Sequence, residues 1–318
     1  MKKIAIIEKI HNDGLELLKK NQNYEYELIT DVSEENLIKK LPEFDACTLR
    51  VSKLDEKILK HCPKLKVISR HGVGYDNVDL NFIKNNNISL LITATANAVA
   101  VAEHVISMFL SLSKSTFKYD EEVRKGNFKS NASKIQTFEL LNKNILIAGF
   151  GRIGKKLISR CLAFDTKVYI YDPYIDKKII KEFGGIKVDK IEDGLKIADY
   201  VSLHMPLTDE TKNLINYNTL KTMKKNSIIV NTARGGIINE LDLEKALNEE
   251  LIFGAALDVF SKEPVEINNP LLKNKKVILS PHSATFTDEC TSRMGIETTK
   301  NIIDFFENKI DKSMIVKI

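Results

Sequence analysis

An α/β protein of two doubly wound parallel-sheet domains is what the sequence predicts, on three observations. Short β-branched runs alternate with helix-spaced apolar runs, this alternation stops and restarts once, and 318 residues exceed one ordinary domain but fall short of three. Alternation of this kind implies a parallel sheet covered by helices on both faces. The cleft between two such sheets is the expected site.

In the first unit, runs at 4–7, 24–29, 45–50, 66–69 and 88–92 read as strands, and 14–19 and 34–41 carry apolar residues at helical spacing. A long helix is then predicted over 97–124, ending at Gly126. Ala98, Val101, Ala102, Val105, Phe109 and Leu112 form one broad apolar stripe on it, and it is expected to bridge the two domains. Strands restart at 144–148, 167–171, 200–203, 228–231, 254–258 and 277–279. A last helix over 288–306, spaced through Met294, Ile296, Ile302 and Phe305, is expected to cross back onto the first domain. The division that follows is 1–97 plus 287–318 for one domain and 98–286 for the other.

Composition narrows the function classes. A net charge of +5 is small for a chain of this size, and its lysines sit in short pairs such as Lys177 and Lys178. No basic run is interleaved with aromatics, so no nucleic-acid partner is expected, while a mild positive field suits a small anionic substrate. The four cysteines, Cys47, Cys62, Cys161 and Cys290, are far apart, and with the six histidines they show no metal-ligand spacing. A reducing cytoplasm is the simplest home. The apolar stretch 4–7 meets Glu8 at once, too short for an export signal, and the stretch 88–102 contains Thr93, Thr95 and Asn97, so no membrane segment is expected.

Gly149, Gly151 and Gly154 form a GxGxxG pattern, weak alone and strengthened by its context. The glycines directly follow the apolar run 145–148 and open a helix through Ile153, Leu157, Ile158 and Cys161. That arrangement sets a pyrophosphate against free backbone N–H groups at a positive helix end. Asp172 ends the next strand 23 residues past Gly149, close to the roughly 20 expected of an acid binding the ribose hydroxyls. Its charge opposes a 2′-phosphate, which favours NAD, although Lys177 and Lys178 keep NADP open; otherwise Asp172 is a turn residue before Pro173.

A series of ordered motifs covers nearly the whole chain. These are 71–79 (HGVGYDNVD), Asn97 followed by 101–104 (VAEH), the Gly149 fingerprint, 204–208 (HMPLT), 231–235 (NTARG), 258–260 (DVF) with Glu263 and Pro264, and Pro281 with His282. In this the chain resembles the D-isomer-specific 2-hydroxyacid dehydrogenases. The resemblance implies a flavodoxin-like substrate domain and a Rossmann NAD domain. It also implies hydride transfer between NAD and a small D-2-hydroxy or 2-oxo acid.

Carried over residue by residue, the resemblance makes His282 the acid and base, Glu263 its carboxylate partner and Arg234 the group holding the substrate carboxylate and carbonyl. That chemistry suits them: an imidazole exchanges protons near neutrality, a carboxylate orients it, and a guanidinium presents a planar fork that a lysine lacks. The resemblance assigns the substrate also to the amides of Val73 and Gly74, to Asn97 and to Arg50. It assigns the cofactor to Arg152, Ile153, His204, Pro206, Thr211, Thr232, Ala233 and Ala284 besides the glycines, Asp172, Arg234 and His282, with Asp258 facing the nicotinamide amide. Glu103 and His104 read as the polar side of the bridging helix. A homodimer through the cofactor domains is implied, with the apolar stripe of 97–124 as a suitable contact.

The chain departs from the family pattern at Val101, where Ser is common, at Asn142, where Gly is usual, and at Thr285, where a small residue is common. For substrate, 3-phosphoglycerate is the first expectation, with glyoxylate or hydroxypyruvate second; a second Arg or Lys beside Arg50 separates them. From a different class, an NAD(H)-sensing binding protein on the same fold is the competing function, and turnover discriminates it.

Overall fold

The computed structural model describes residues 1–128 and 134–318. Contacts divide these into two compact units, one of residues 1–97 and 286–318 and one of residues 98–285.

The first unit is a parallel sheet of β1 (Lys2–Ile7), β2 (Tyr24–Ile29), β3 (Ala46–Leu49), β4 (Val67–Arg70) and β5 (Ser89–Ile92), in the order β2-β1-β3-β4-β5. The central strand β3 is buried at all four positions, as expected of a strand covered on both faces. Its helices are α1 (Asn12–Lys19), α2 (Glu34–Lys40), α3 (Glu56–Leu59), α4 (Leu80–Asn85) and the chain's last helix, α12 (Asp288–Phe306). Helix α12 packs along α1 at a close approach, since a Cβ on Gly14 would lie 2.4 Å from the Gly295 carbonyl oxygen. After α12 the chain returns to the sheet edge, where Val316 donates its amide to the Leu90 carbonyl.

The second unit opens with α5 (Ala98–Ser113) and α6 (Thr116–Arg124), followed by β6 (Asn144–Ala148), α7 (Arg152–Leu162), β7 (Lys167–Tyr171), α8 (Lys177–Glu182), β8 (Ile186–Val188), α9 (Ile191–Ile197) and β9 (Tyr200–Leu203). It continues with α10 (Tyr217–Thr222), β10 (Ile228–Asn231), α11 (Glu240–Asn248), β11 (Gly254–Leu257) and β12 (Val277–Leu279). All seven strands are parallel, in the order β12-β11-β10-β9-β6-β7-β8. Strand order reverses between β6 and β9, the topology of a Rossmann sheet, whose ligands bind outside the strand carboxyl ends at that switch. The first unit shows the flavodoxin-like order.

Two expectations change here. The single helix over 97–124 is two helices, broken at Ser115, which takes a left-handed φ of 50° while its amide closes on the Leu112 carbonyl. Serine and threonine favour such breaks because their side chains compete for backbone groups. The apolar stripe of α5 is also not a free surface. Ala102, Val105 and Phe109 are fully buried, and Phe109 meets Tyr200 edge to face at 5.1 Å. By contrast α6 buries none of its residues. Asn142 has φ 59°, a left-handed conformation that asparagine tolerates better than most residues and that accounts for its standing in place of glycine. No helix among the described residues is long and apolar enough to cross a membrane.

Candidate active site

Because every strand of the second sheet runs the same way, the residues just past each strand collect along one edge. These are Gly149 after β6, Asp172 after β7, His204 after β9, 232–234 after β10, Asp258 after β11 and 280–284 after β12.

The glycine loop fits a nucleotide. Gly149 has φ 99°, and a Cβ there would sit 2.4 Å from the His204 carbonyl oxygen, so both the turn and the strand contact require glycine. A Cβ on Gly154 would lie 2.5 Å from the Gly149 oxygen, whereas one on Gly151 would meet nothing within 4 Å, the open space that an approaching pyrophosphate needs. Gly151 caps α7 with no side-chain hydrogen bond, and helical bonding begins only at the Lys155 amide, which donates to the Gly151 carbonyl. The amides of Gly151, Arg152 and Ile153 thus lie at the positive helix end ahead of the helical ladder. Asp172 accepts the Phe150 amide on Oδ2 at 2.8 Å and the Tyr174 amide on Oδ1 at 2.9 Å. Its turn role and its place over the glycine loop therefore coexist, and each oxygen keeps a lone pair for a further donor.

Two buried polar atoms at neighbouring strand ends have no protein partner: His204 Nδ1 and Thr232 Oγ1. Burial pushes the His204 imidazole down to about 3, so it is neutral at physiological pH, with Nε2 2.8 Å from Ser202 Oγ. Thr211 Oγ1 donates to the Pro206 carbonyl at 2.6 Å and accepts the Thr208 amide, which folds the 206–211 loop on itself. Orphaned polar atoms beside an open glycine loop are the donor and acceptor set that a dinucleotide fits.

His282 follows β12 with φ 53°, and its Nδ1 lies 2.8 Å from Glu263 Oε2. Glu263 Oε1 accepts the Phe260 amide at 3.0 Å. Partial burial pushes the Glu263 carboxyl up. The His282 hydrogen bond, the Phe260 amide and the His282 and Arg234 charges outweigh it and hold the group below the usual carboxylate value. Arg234 follows β10 in a turn that Asn231 shapes, accepting the Ala233 amide and donating to the Arg234 carbonyl, while Arg234 Nη1 donates to the Ala233 carbonyl. The arrangement is a proton-exchanging ring locked to an ionised carboxylate, with a guanidinium close enough to act on that carboxylate's charge.

Asp258 is almost fully buried and ties two of these segments together. Its Oδ1 accepts Ser280 Oγ at 2.5 Å and the Ser283 amide at 2.8 Å, and its Oδ2 accepts the Ala284 amide at 3.0 Å. Of a carboxylate's four lone-pair directions, one on Oδ2 remains, which suits the amide donor of a nicotinamide.

The first unit carries a separate cluster suited to an anion. Arg50 follows β3 and Arg70 ends β4, in register beside Leu49. Burial and then the Arg50 and Arg70 charges push the His71 imidazole down to about 4, and its Nε2 is buried without a partner. Arg70 donates to the Leu49 and His71 carbonyls and to Asn77 Oδ1, Arg50 Nη1 donates to the Lys9 carbonyl, and Glu8 Oε2 accepts the Val51 and Ser52 amides. Among the described residues the Val73 and Gly74 amides meet no protein acceptor. Asn97 is half-buried at the end of this unit.

A family model described as the NAD-binding domain of D-isomer-specific 2-hydroxyacid dehydrogenases matches residues 106–284. The chain belongs to this family. It is 33% identical over 316 residues to a D-3-phosphoglycerate dehydrogenase of Methanocaldococcus jannaschii, covering 99% of this chain and 59% of that protein. A glyoxylate reductase of Thermococcus litoralis is 35% identical over 324 residues, covering 99% of this chain and 97% of that protein. The chain thus spans under two thirds of the first relative's length and nearly all of the second's. Among solved structures, the D-lactate dehydrogenase of Aquifex aeolicus complexed with NAD and lactic acid superposes with a TM-score of 0.86 at 27% identity, covering 98% of each chain.

Within the second unit the fold brings together, along one sheet edge, the glycine loop, Asp172, His204, Thr232, Ala233, Arg234, Asp258, Glu263, His282 and Ala284. Val73, Gly74, Arg50 and Asn97 belong to the first unit. Sequence reasoning missed Arg70, whose place beside Arg50 follows only from strand pairing. It also read His104 as part of a polar helix face. Instead His104 Nε2 lies 3.1 Å from Ser280 Oγ and 3.8 Å from Asp258 Oδ1, while Glu103 pairs with Arg160 at 2.7 Å.

Proposed function

We propose that the chain interconverts a short D-2-hydroxy acid and its 2-oxo acid with NAD, His282 acting as the acid and base. The observation that carries this is the 2.8 Å pair of His282 and the ionised Glu263, with Arg234 acting on the same carboxylate. When bound, NAD supplies the hydride donor or acceptor. The glycine loop and the amides opening α7 hold its pyrophosphate, Asp172 its ribose and the free lone pair of Asp258 its amide. His282 gives a proton to the nascent alkoxide or removes one from the hydroxyl, Glu263 fixes the ring and stabilises its charge, and Arg234 holds the substrate carboxylate and polarises the carbonyl.

For the substrate, 3-phosphoglycerate is supported by Arg70, a second arginine beside Arg50 in a cluster with the unpaired amides of Val73 and Gly74. Glyoxylate or hydroxypyruvate is the second reading. It is favoured by the several protein acceptors Arg70 already serves and by a glyoxylate reductase relative that this chain matches over 97% of its length. NADH oxidation at 340 nm with glyoxylate and hydroxypyruvate, beside NAD reduction with 3-phosphoglycerate, decides between them. Tight NADH binding without turnover on any 2-oxo acid would replace both with a sensing protein.

A homodimer is part of this reading. The contact it uses is α6 and its surroundings, where Phe117, Val123 and Phe128 are exposed, and not the stripe on α5. Light scattering should give twice 36.0 kDa, and a mass of one chain at micromolar concentration removes the dimer. Free, buried thiols at all four cysteines suit a cytoplasmic home.

A further inference from the structure

On both sides of His282 the chain is tied to the Asp258 carboxylate. The Ser283 and Ala284 amides, directly after the left-handed His282, both donate to Asp258, and Ser280 before it donates its hydroxyl to the same Oδ1. A hydroxyl has one proton. Because Ser280 gives it to Asp258, the contact between His104 Nε2 and Ser280 Oγ at 3.1 Å is satisfied only if His104 Nε2 carries the hydrogen and donates. Two arms converge on the Asp258 carboxylate: His104 donates to Ser280 and Ser280 to Asp258 from one side, and the Ser283 and Ala284 amides donate to it from the other.

The far end of this network sits on a helix packed into the core. His104 is on α5, beside Val105 and five residues before Phe109, both fully buried, and α5 packs on β10 and β11. The hydrogen-bonded chain therefore references the His282 segment to the unit's core helix. His282 itself is half exposed, and its side-chain partner, Glu263, lies on a loop. A non-glycine residue with a left-handed backbone persists where its surroundings over-determine it, and the Asp258 clamp is what over-determines this one.

We propose that His104 is a positioning residue for His282, acting through Ser280 and Asp258 by donating from Nε2; this rests on the role of His282 proposed above. Glutamine keeps a donor at comparable reach and leucine does not. His104→Leu should lower kcat about tenfold while the NADH Kd moves less than threefold, and His104→Gln should recover to within threefold of wild type. Ser280→Ala should lose a similar factor, and adding His104→Leu to it should cost nothing more, because the two act in series.

A second readout needs neither cofactor nor turnover. In the free protein the Ser283 and Ala284 amide resonances should shift in His104→Leu and return in His104→Gln. The proposal is overturned if leucine and glutamine behave alike, if the His104 and Ser280 losses multiply, or if both amide resonances stay in place. If instead His282→Ala retains full turnover, or wild type has none, the acid-base reading falls and takes this proposal with it. Turnover abolished by His282→Ala but indifferent to His104 overturns the positioning role alone.

Discussion

Replacing Glu263 by glutamine removes a charge from the His282 pair with almost no change in volume, so its effect can be worked from the geometry. Glu263 receives two N–H donors, the Phe260 amide on Oε1 and His282 Nδ1 on Oε2. A carboxamide has one oxygen, so glutamine satisfies one donor and turns its own NH₂ on the other. A charge-assisted hydrogen bond contributes about 1.5–3 kcal/mol when intact. Here the ring is 50% and the carboxylate 38% exposed, so solvent screening reduces the difference to about 1–2 kcal/mol. At 1.36 kcal/mol per tenfold, Glu263→Gln should lower kcat by about 5- to 30-fold. Steady-state turnover beside NADH fluorescence titration reads both quantities, and NADH affinity should stay within about twofold because the pair is remote from the glycine loop. An unchanged kcat, or parallel losses in kcat and NADH affinity, refutes the orienting role of Glu263.

The remaining predictions draw on other parts of the fold. The His204 imidazole is pushed down to about 3 by burial against an ordinary value of 6.5, so between those pH values the unfolded chain binds a proton that the folded chain refuses. Stability therefore falls as pH drops through that window, by about 2 kcal/mol at pH 5 relative to pH 8, and urea unfolding of His204→Gln should show that much less pH dependence; an unaltered dependence contradicts it. Asp172→Ala should raise the kcat/KM for NADPH relative to NADH, and a constant ratio would show that another group reads the ribose. All four thiols are buried and free, with Cys62 pushed up to about 11 and Cys161 to about 12 by burial, so a thiol reagent should label none until the protein is unfolded in guanidinium. Rapid labelling of the native protein would show that the cores open readily.

Much of the architecture was legible because the strands are short apolar runs bounded by turn residues. The expected runs at 24–29, 144–148, 167–171, 200–203, 228–231 and 277–279 are the observed strands, and the helix over 288–306 is α12. Strand β8 escaped because three residues, Ile186–Val188, are too few to display a period. The break at Ser115 escaped because α5 and α6 share a periodicity across it, and a single left-handed residue leaves no trace in apolar spacing.

The candidate site divides along the same line. Gly149 and Asp172 stand out in the sequence by local spacing, and Arg234, Glu263 and His282 by motifs that resemble the family's, and each of these lies in a short contiguous stretch. The link from His104 to Ser280 joins residues 176 apart, and the pairing of Arg70 with the Arg50 strand depends on sheet order. Such contacts exist only once the chain has folded, and no local pattern encodes them.

Proton transfer by His282 is the central claim, and single-turnover reduction by His282→Ala beside wild type tests it most directly. With NADH pre-bound and the better 2-oxo acid added in excess, absorbance at 340 nm should decay at least a hundredfold more slowly in the variant, while fluorescence shows NADH bound as in wild type. Decay at the wild-type rate would contradict the account, and the proton would have to come from another group.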